Sequence, residues 1–218
     1  MPYYERSRIY YRTFIIKSNP PAAPIIAGID EAGRGPLAGP VVAAACILPC
    51  PVTPIGEGRW QLKAERGAGC IVGDSKQLSA RQREAAFSVL DAVCVHGIGI
   101  VDAPIIDRVG ILEATQLAMQ QAVARLAKRC KPTYLLVDGR DRFWFDVPHS
   151  SVIRGDSLEP AIAAASILAK VTRDRLMIEA DAVFPHYGFA RHKGYGTPEH
   201  REAMERHGLC VLHRKTFC

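Results

Sequence analysis

The sequence predicts an α/β domain in which a mixed β-sheet is flanked by helices and followed by a small helical C-terminal extension. Two observations carry this prediction. First, two short apolar segments are separated only by a turn rich in glycine and proline, which is typical of a β-hairpin. Second, later apolar segments alternate with longer segments of helical periodicity. Strands that pair first and then alternate with helices favour a mixed sheet with helices on its faces.

The N-terminal segment differs in composition from the rest of the chain. It is basic, contains several tyrosines and ends in a stretch of proline and alanine. Such a composition is typical of a tail or linker rather than of packed structure. We therefore expect a basic tail over residues 1–24 and one compact domain over residues 25–218.

The predicted hairpin joins a strand at Ile25–Ile29 to a strand at Val41–Leu48 through the turn at Gly33–Pro36. The next residues, 49–73, contain prolines and glycines and show no clear period. We expect a surface loop there.

Two helices and a strand are predicted in the middle of the chain. Ser79 and Gln82 have the spacing of a capping box, so the first helix should begin at Ser79. Gly97 is expected to close this helix, and a strand should follow over 97–101. A second helix is predicted over 104–129, with Gly110 as an internal weak point.

The second half of the domain alternates again. Strands are predicted at Tyr134–Val137 and Ser151–Ile153, and a long helix from Glu159 to Val183. Pro160 is compatible with that helix because it falls in the first turn. The C-terminal residues after this helix are polar and basic, and one short helix with loops is expected.

Composition limits the classes of function. Of the 218 residues, 48% are hydrophobic, which is enough for a core, and the net charge of +6 suits a polyanionic partner such as nucleic acid. Many basic proteins bind no nucleic acid, so charge alone leaves this open. No apolar run approaches the ~20 residues that span a bilayer, and the N-terminus does not look like a signal peptide. The seven cysteines are scattered and form no CxxC pair, so we expect free thiols and a cytoplasmic location.

Five of the seven histidines lie near the C-terminus. Their spacing fits no tight zinc-ligand pattern. We expect them on the surface or in contact with phosphate groups. The five are His186, His192, His200, His207 and His213.

Carboxylates follow three of the apolar segments. Asp30 and Glu31 follow the first, Asp138 follows the segment ending at Val137, and Asp156 comes shortly after Ile153. Because ligands bind at the carboxyl ends of strands in α/β sheets, these side chains are expected to converge. Converging carboxylates repel one another, and a hard divalent cation such as Mg²⁺ or Mn²⁺ relieves this repulsion. The pattern favours a metal site suited to phosphoryl transfer.

Each carboxylate also has a simpler interpretation. Asp138 and Gly139 form a common turn dipeptide. Asp156 lies where a helix N-cap could stand. Asp30 and Glu31 could be a solvated strand end. Taken together, three such positions in one small domain favour metal binding.

Several motifs, in order, resemble those of ribonuclease HII. The resemblance extends over residues 25–217, and the ordered set of motifs is very specific. The matching segments are Gly28–Pro40, Asp74–Ser79, Val137–Gly139, Gly155–Ser157, Ala163–Asp174, His192–Thr197 and His213–Phe217. The related ribonuclease HIII lacks the Gly-Arg-Gly form found at 33–35.

The resemblance implies a ribonuclease H-like fold and a metal-dependent endoribonuclease. Its substrates would be the RNA strand of RNA–DNA hybrids and duplex DNA with embedded ribonucleotides, cut to leave 5′-phosphate and 3′-hydroxyl ends. One or two Mn²⁺ or Mg²⁺ ions would be the cofactor. We also expect a monomer, and no protein partner is evident from the sequence. By the resemblance, the catalytic and metal-binding residues are Asp30, Glu31, Asp138 and Asp156, and the substrate-binding residues are Gly33, Arg34, Gly35 and Tyr195.

Two other functions compete with this one. A non-catalytic nucleic-acid-binding module on the same fold would be expected to lack a carboxylate, and all four are present. A small-molecule enzyme could use the glycine-rich turn to cradle a phosphate. However, no Gly-Lys-Ser/Thr follows that turn, which leads into an apolar strand and not into a helix.

Overall fold

The computed structural model describes residues 23–49, 52–63, 69–75 and 77–218. The tail predicted for residues 1–24 lies outside the described residues except for its last two positions. In the described ranges of the chain, no helix is both long enough and apolar enough to cross a lipid bilayer.

The core of the domain is a five-stranded mixed sheet. Its strands are β1 (Ile26–Ala32), β2 (Val41–Ile47), β6 (Val95–Val101), β7 (Tyr134–Asp138) and β8 (His149–Val152), and their order in the sheet is β6-β2-β1-β7-β8. The predicted hairpin is present, since β1 and β2 pair antiparallel, as do β2 and β6, whereas β7 runs parallel to both β1 and β8. The first strand therefore stands at the centre of the sheet.

Helices cover both faces of this sheet, as predicted. In chain order, the helices of the described residues are α1 (Ala80–Val93), α2 (Ala103–Val109), α3 (Ile111–Ala127), α4 (Gly155–Leu158), α5 (Pro160–Val183), α6 (Phe189–His192) and α7 (Pro198–His207). Glycines set the close approach of α5 and α3. A Cβ on Gly28 of β1 would lie 2.2 Å from the carbonyl carbon of Ala161 in α5. A Cβ on Gly99 of β6 would lie 1.8 Å from the carbonyl oxygen of Ala118 in α3.

The prediction that Gly97 closes the first helix is wrong. That helix ends at Val93, with extended Cys94 as its C-cap, and Gly97 lies inside β6. A Cβ at this position would lie 2.2 Å from the carbonyl oxygen of Ala122. The glycine therefore serves helix-on-sheet packing. The predicted capping box between Ser79 and Gln82 is present.

The helix predicted over 104–129 is two helices. Gly110 ends α2 and begins α3, with φ 82° and ψ 160°. These angles lie outside the helical range and are accessible mainly to glycine. The helix is therefore interrupted at Gly110, where the sequence predicted only a weak point.

A surface loop was predicted over 49–73, but the described residues of this range form strands. They contain a second, antiparallel sheet of three strands, β3 (Val52–Gly56), β4 (Arg59–Leu62) and β5 (Cys70–Gly73). Leu62, Cys70 and Val72 are buried from this sheet and join the apolar cluster that contains Leu90 of α1 and Ile167 of α5. Packing against these helices stabilises strands whose own sequences show little periodicity.

The C-terminal residues form the predicted small helical extension. A 3₁₀ turn at Pro185–Tyr187 precedes α6 and α7. Their buried rings, Tyr187 and Phe189, pack with Met177 near the end of α5.

Candidate active site

Two neighbouring parallel strands carry three of the predicted carboxylates. Asp30 and Glu31 lie in β1, and Asp138 is the last residue of β7. Ile29 pairs with Val137 in the parallel register, so Asp30 and Asp138 are each one residue beyond a paired position. Asp30 is buried, and the side chain of Glu31 is 14% exposed.

The fourth carboxylate is tied to this edge by a hydrogen bond. Gly155 donates its backbone N–H to Asp138 Oδ1 over 2.7 Å, and Asp156 follows it, buried, in α4. The N-cap positions of α4 and α5 are occupied by Arg154 and Glu159. Asp156 is therefore not a helix cap, which was its simpler interpretation.

The acidic groups of β1 are destabilised as anions. Burial, together with the charges of Glu31 and Asp138, raises the pKa of Asp30 well above its usual value, against hydrogen bonds from Ser166 and the Glu31 backbone. Burial also raises the pKa of Glu31, although the neighbouring Arg34 acts in the opposite direction. A cation that replaced the lost hydration would stabilise both carboxylates.

The carboxylates do not form a closed ligand cage. Over the described part of the chain, no group of three or more His, Cys, Asp or Glu side chains is arranged to hold a metal ion. Asp30 accepts a hydrogen bond from the Glu31 backbone, Glu31 from Arg34, and Asp138 from Gly155. The structure thus brings three carboxylates within range of mutual repulsion, with Asp156 joined to them through Gly155.

The turn after β1 has a backbone that requires glycine. Gly33 has φ 96°, and a Cβ there would lie 2.0 Å from Nε of Arg173. Arg34 points towards the carboxylates and donates to Glu31 Oε1 over 3.3 Å and to Asp141 Oδ2 over 2.7 Å. The turn therefore places the positively charged guanidinium of Arg34 at the edge of the carboxylates.

One fully buried arginine holds the turn from the C-terminal side. Arg214 donates to the carbonyl oxygens of Gly33, Arg34 and Gly39 over 2.6, 2.9 and 3.0 Å. Burial lowers its pKa to about 10, so the guanidinium stays charged at neutral pH.

A second buried arginine joins the turn to the segment that carries Tyr195. Arg173 of α5 donates to the carbonyl oxygens of Ala38, Pro40 and Lys193 over 2.9–3.0 Å. Its guanidinium carbon lies 5.9 Å from the centre of the Tyr195 ring.

Tyr195 stands beside the glycine turn. A Cβ built on Gly35 would lie 4.0 Å from Cε1 of Tyr195. The tyrosine is 45% exposed, so its ring is open to a ligand. The four predicted substrate-binding residues therefore share one surface next to the carboxylates.

Comparison with known proteins shows the family of the chain. The family model of ribonuclease HII matches residues 27–218. The chain belongs to the ribonuclease HII family. Among its relatives, the ribonuclease HII of Syntrophus aciditrophicus (strain SB) is 47% identical over 195 residues, covering 88% of this chain and 84% of that protein. Family membership makes the chain a hydrolytic ribonuclease, and the comparisons give no support to a non-catalytic binding module.

Solved structures of this and the sister family have the same fold. A chain of the PCNA:RNase HII complex from Archaeoglobus fulgidus matches with TM-score 0.66 and 23% identity, over 89% of this chain and 95% of that chain. Bst-RNase HIII in complex with Mn²⁺ matches with TM-score 0.64 and 16% identity, over 98% of this chain and 78% of that chain. These matches confirm the ribonuclease H-like fold.

Three residues that shape the site of this member of the ribonuclease HII family were not predicted from the sequence. Arg173 and Arg214 lie in matched motifs, but nothing in the sequence indicates that their partners are backbone carbonyls. Asp141, which holds Arg34, gave no signal at all because its position depends on the course of the chain after β7.

The prediction for the C-terminal histidines was wrong for two of them. His200 and His213 are buried, with 0% and 2% exposure, and they pack against the rings of Tyr187 and Phe189. Their burial depends on the fold of the C-terminal extension, which the polar composition of that segment concealed.

Proposed function

We propose that the protein is a metal-dependent endonuclease that cuts the RNA strand of RNA–DNA hybrids and duplex DNA at embedded ribonucleotides. The products would carry 5′-phosphate and 3′-hydroxyl ends. The observation that carries this proposal is the juxtaposition of a buried acidic edge with an open Gly-Arg-Gly turn and an exposed tyrosine. The acidic edge suits a metal and a phosphodiester, and the turn with the tyrosine suits a ribose.

Asp30, Glu31, Asp138 and Asp156 would hold one or two divalent ions. The donor set fits such ions, because carboxylate oxygens are the ligands that Mg²⁺ and Mn²⁺ prefer, and the raised pKa of Asp30 and of Glu31 indicates a deficit of positive charge. When bound, the metal supplies Lewis acidity to the phosphodiester and lowers the pKa of water. Mn²⁺ is present in the related Bst-RNase HIII structure.

The glycine turn and Tyr195 would recognise the sugar. Because Gly33 and Gly35 carry no side chains, backbone groups can approach a ribose closely. The 2′-hydroxyl is the group that distinguishes RNA from DNA. Tyr195, exposed beside Gly35, would contact the nucleotide next to that ribose.

The partner of the site would be a nucleic acid duplex, and the protein would act as a monomer. The net charge of +6 supports binding of a polyanion. The six cysteines that the structure describes are free thiols, which supports a location in the reducing cytoplasm.

The test uses three end-labelled substrates: duplex DNA with one ribonucleotide, the same duplex without it, and an RNA–DNA hybrid. With Mn²⁺ or Mg²⁺ we expect cleavage of the first and third only, and none in chelator. Phosphatase sensitivity of the product's 5′ end reports the end chemistry. Cleavage of all-DNA duplex at a comparable rate would overturn the proposal.

A further inference from the structure

Two buried histidines link the C-terminal segment to the backbone of Tyr195. Nε2 of His200 lies 3.1 Å from Nε2 of His213, and Nδ1 of His200 lies 2.8 Å from the carbonyl oxygen of Tyr195. At the other end, the backbone N–H of Cys210 donates to Nδ1 of His213 over 3.0 Å.

Their partners fix the tautomers of both rings. A backbone N–H can only donate, so Nδ1 of His213 carries no proton, and the neutral ring must carry its proton on Nε2. That proton points at Nε2 of His200, which must therefore be bare. His200 then carries its proton on Nδ1 and donates to the Tyr195 carbonyl. The three hydrogen bonds from Cys210 through His213 and His200 to Tyr195 are therefore all donated in the same direction.

The rings must be neutral for this arrangement to exist. A proton added to either bare nitrogen would face an N–H donor and break a hydrogen bond. Burial lowers the pKa of His200 to about 4, and His192, His213 and Arg201 add to the shift. Burial also lowers the pKa of His213, with His192 contributing. The groups that face the two rings are His192, stacked on His200 at 4.4 Å, Tyr187, Phe189, Arg201 and Cys210.

The other side of Tyr195 is held independently. Its backbone N–H donates to the carbonyl oxygen of His192 over 3.0 Å. The preceding residue, Gly194, accepts from the backbone N–H groups of Leu37 and Ala38, which follow the Gly-Arg-Gly turn. The main chain of Tyr195 thus sits between that turn and the histidine pair.

We propose that His200 and His213 are positioning residues for Tyr195, a relay of two neutral imidazoles that sets the place of the tyrosine relative to the Gly33–Gly35 turn. Neither histidine touches the substrate. The relay rests on the proposed function, because it acts through the recognition of an embedded ribonucleotide by Tyr195.

Two substitutions at His200 separate its two bonds. In Asn, the amide nitrogen is bonded to Cγ, as Nδ1 is in His, so His200→Asn keeps the donor to Tyr195 and loses the acceptor for His213. In Gln, the amide oxygen is as far along the side chain as Nε2, so His200→Gln keeps the acceptor and loses the donor to Tyr195. Both variants lose the ring, and Asn, which is one methylene shorter than Gln, leaves the larger gap at this buried position, so a greater loss in His200→Gln would not come from packing. His207→Gln is the control, since His207 is exposed on the same helix.

The readout is selectivity, the ratio of kcat/KM for duplex DNA with one ribonucleotide to kcat/KM for an RNA–DNA hybrid. We expect His200→Gln to lose selectivity by about fivefold, the factor of one hydrogen bond, towards the value of Tyr195→Ala. His200→Asn should retain most of it, and His207→Gln should match the wild type. Equal selectivity in the Asn and Gln variants, or equal loss on both substrates, would overturn the relay.

A spectroscopic test checks the tautomers without relying on activity. In ¹⁵N-histidine-labelled protein at neutral pH, two-bond ¹H–¹⁵N correlations should place the proton of His200 on Nδ1 and that of His213 on Nε2, with peaks assigned from the variants. The opposite tautomer at either ring would contradict the proposal. If wild-type protein fails to cut the embedded ribonucleotide while the tautomers are as expected, the proposed function fails and the hydrogen-bond relay stands as structure.

Discussion

Gly155 donates its backbone N–H to Asp138 Oδ1 over 2.7 Å, and a Cβ at Gly155 would lie 3.1 Å from the same oxygen. The bond joins the end of β7 to the short helix that carries Asp156. Two of the four proposed metal ligands are therefore mechanically coupled, and a change at the glycine should disturb both.

Gly155→Ala should damage the site more than the fold. The new methyl group would lie 2.5 Å from Cδ1 of Ile162 as well as near Asp138, and such overpacking costs about 1–3 kcal/mol. We expect kcat to fall by about tenfold or more, since small misplacements of reacting groups have large effects. Gly56→Ala is the control, because no atom of the residues that the structure describes lies within 4 Å of a Cβ there. If both variants cleave at the wild-type rate, the coupling has no catalytic role.

Removal of one buried charge should stabilise the protein in chelator. The pKa of Asp30 is raised by burial and by the charges of Glu31 and Asp138, so ionisation at neutral pH opposes folding. The contribution of Asp30 is most favourable at low pH, and stability is lost as the pH rises from the unfolded value of about 3.9 towards the raised folded pKa. Asp30→Asn should therefore raise Tm by roughly 2–4 °C, which corresponds to about 1 kcal/mol.

Excess Mn²⁺ should reverse the order of the two melting temperatures, so that wild type melts above Asp30→Asn. The ion stabilises wild-type protein by mass action and stabilises Asp30→Asn less. Asp91→Asn, an exposed change of the same charge, should respond to metal as the wild type does. A variant that melts below wild type in chelator, with equal metal shifts in both, would mean that the carboxylates do not share a site.

Tyr195→Ala should affect recognition more than non-specific affinity. The ring is exposed beside Gly35, so its removal takes away contact with the nucleotide and leaves the basic surface intact. We expect cleavage at a single embedded ribonucleotide to fall by about tenfold or more, the factor of one stacked aromatic contact at roughly 1–3 kcal/mol. Binding to plain duplex, measured by fluorescence anisotropy, should change little. Equal losses in both assays would make Tyr195 a packing residue.

Acid should weaken the C-terminal extension through His200. Its folded pKa is about 4 and that of an unfolded histidine is about 6.5. The folded state binds fewer protons between these values, so the stabilisation is complete above about pH 6.5 and is lost as the pH falls towards 4. Thermal melts from pH 7.5 to 4.5 should show the difference in Tm between wild type and His200→Asn narrowing as the pH falls. A constant difference would show that His200 does not titrate in this way.

The parts of the fold that local patterns determine could be predicted from the sequence. The β1–β2 hairpin, the capping box at Ser79 and the long helix α5 follow from turn chemistry and periodicity, and the structure contains all three. The three-stranded sheet within 49–73 could not be predicted, because its strands depend on packing against α1 and α5. Gly97 was misassigned for the same reason, since its neighbour is a helix distant in the sequence.

The site divides along similar lines. Its proposed carboxylates, glycines and Tyr195 lie in short motifs, so they could be predicted from the sequence. Arg173 and Arg214 act through carbonyl groups, and His200 and His213 through each other, so their roles depend on contacts that only the fold creates.

The proposed metal site is tested by cleavage of duplex DNA with one ribonucleotide by wild type, Asp138→Asn and Asp91→Asn in Mn²⁺. An amide at position 138 can still accept the hydrogen bond from Gly155 but binds a divalent cation poorly, so the fold should survive and circular dichroism should be unchanged. We expect product from wild type and Asp91→Asn, and a loss of about a hundredfold to a thousandfold in Asp138→Asn, the scale of removing a major transition-state stabilising group. Near wild-type turnover by purified Asp138→Asn would contradict the proposed metal site.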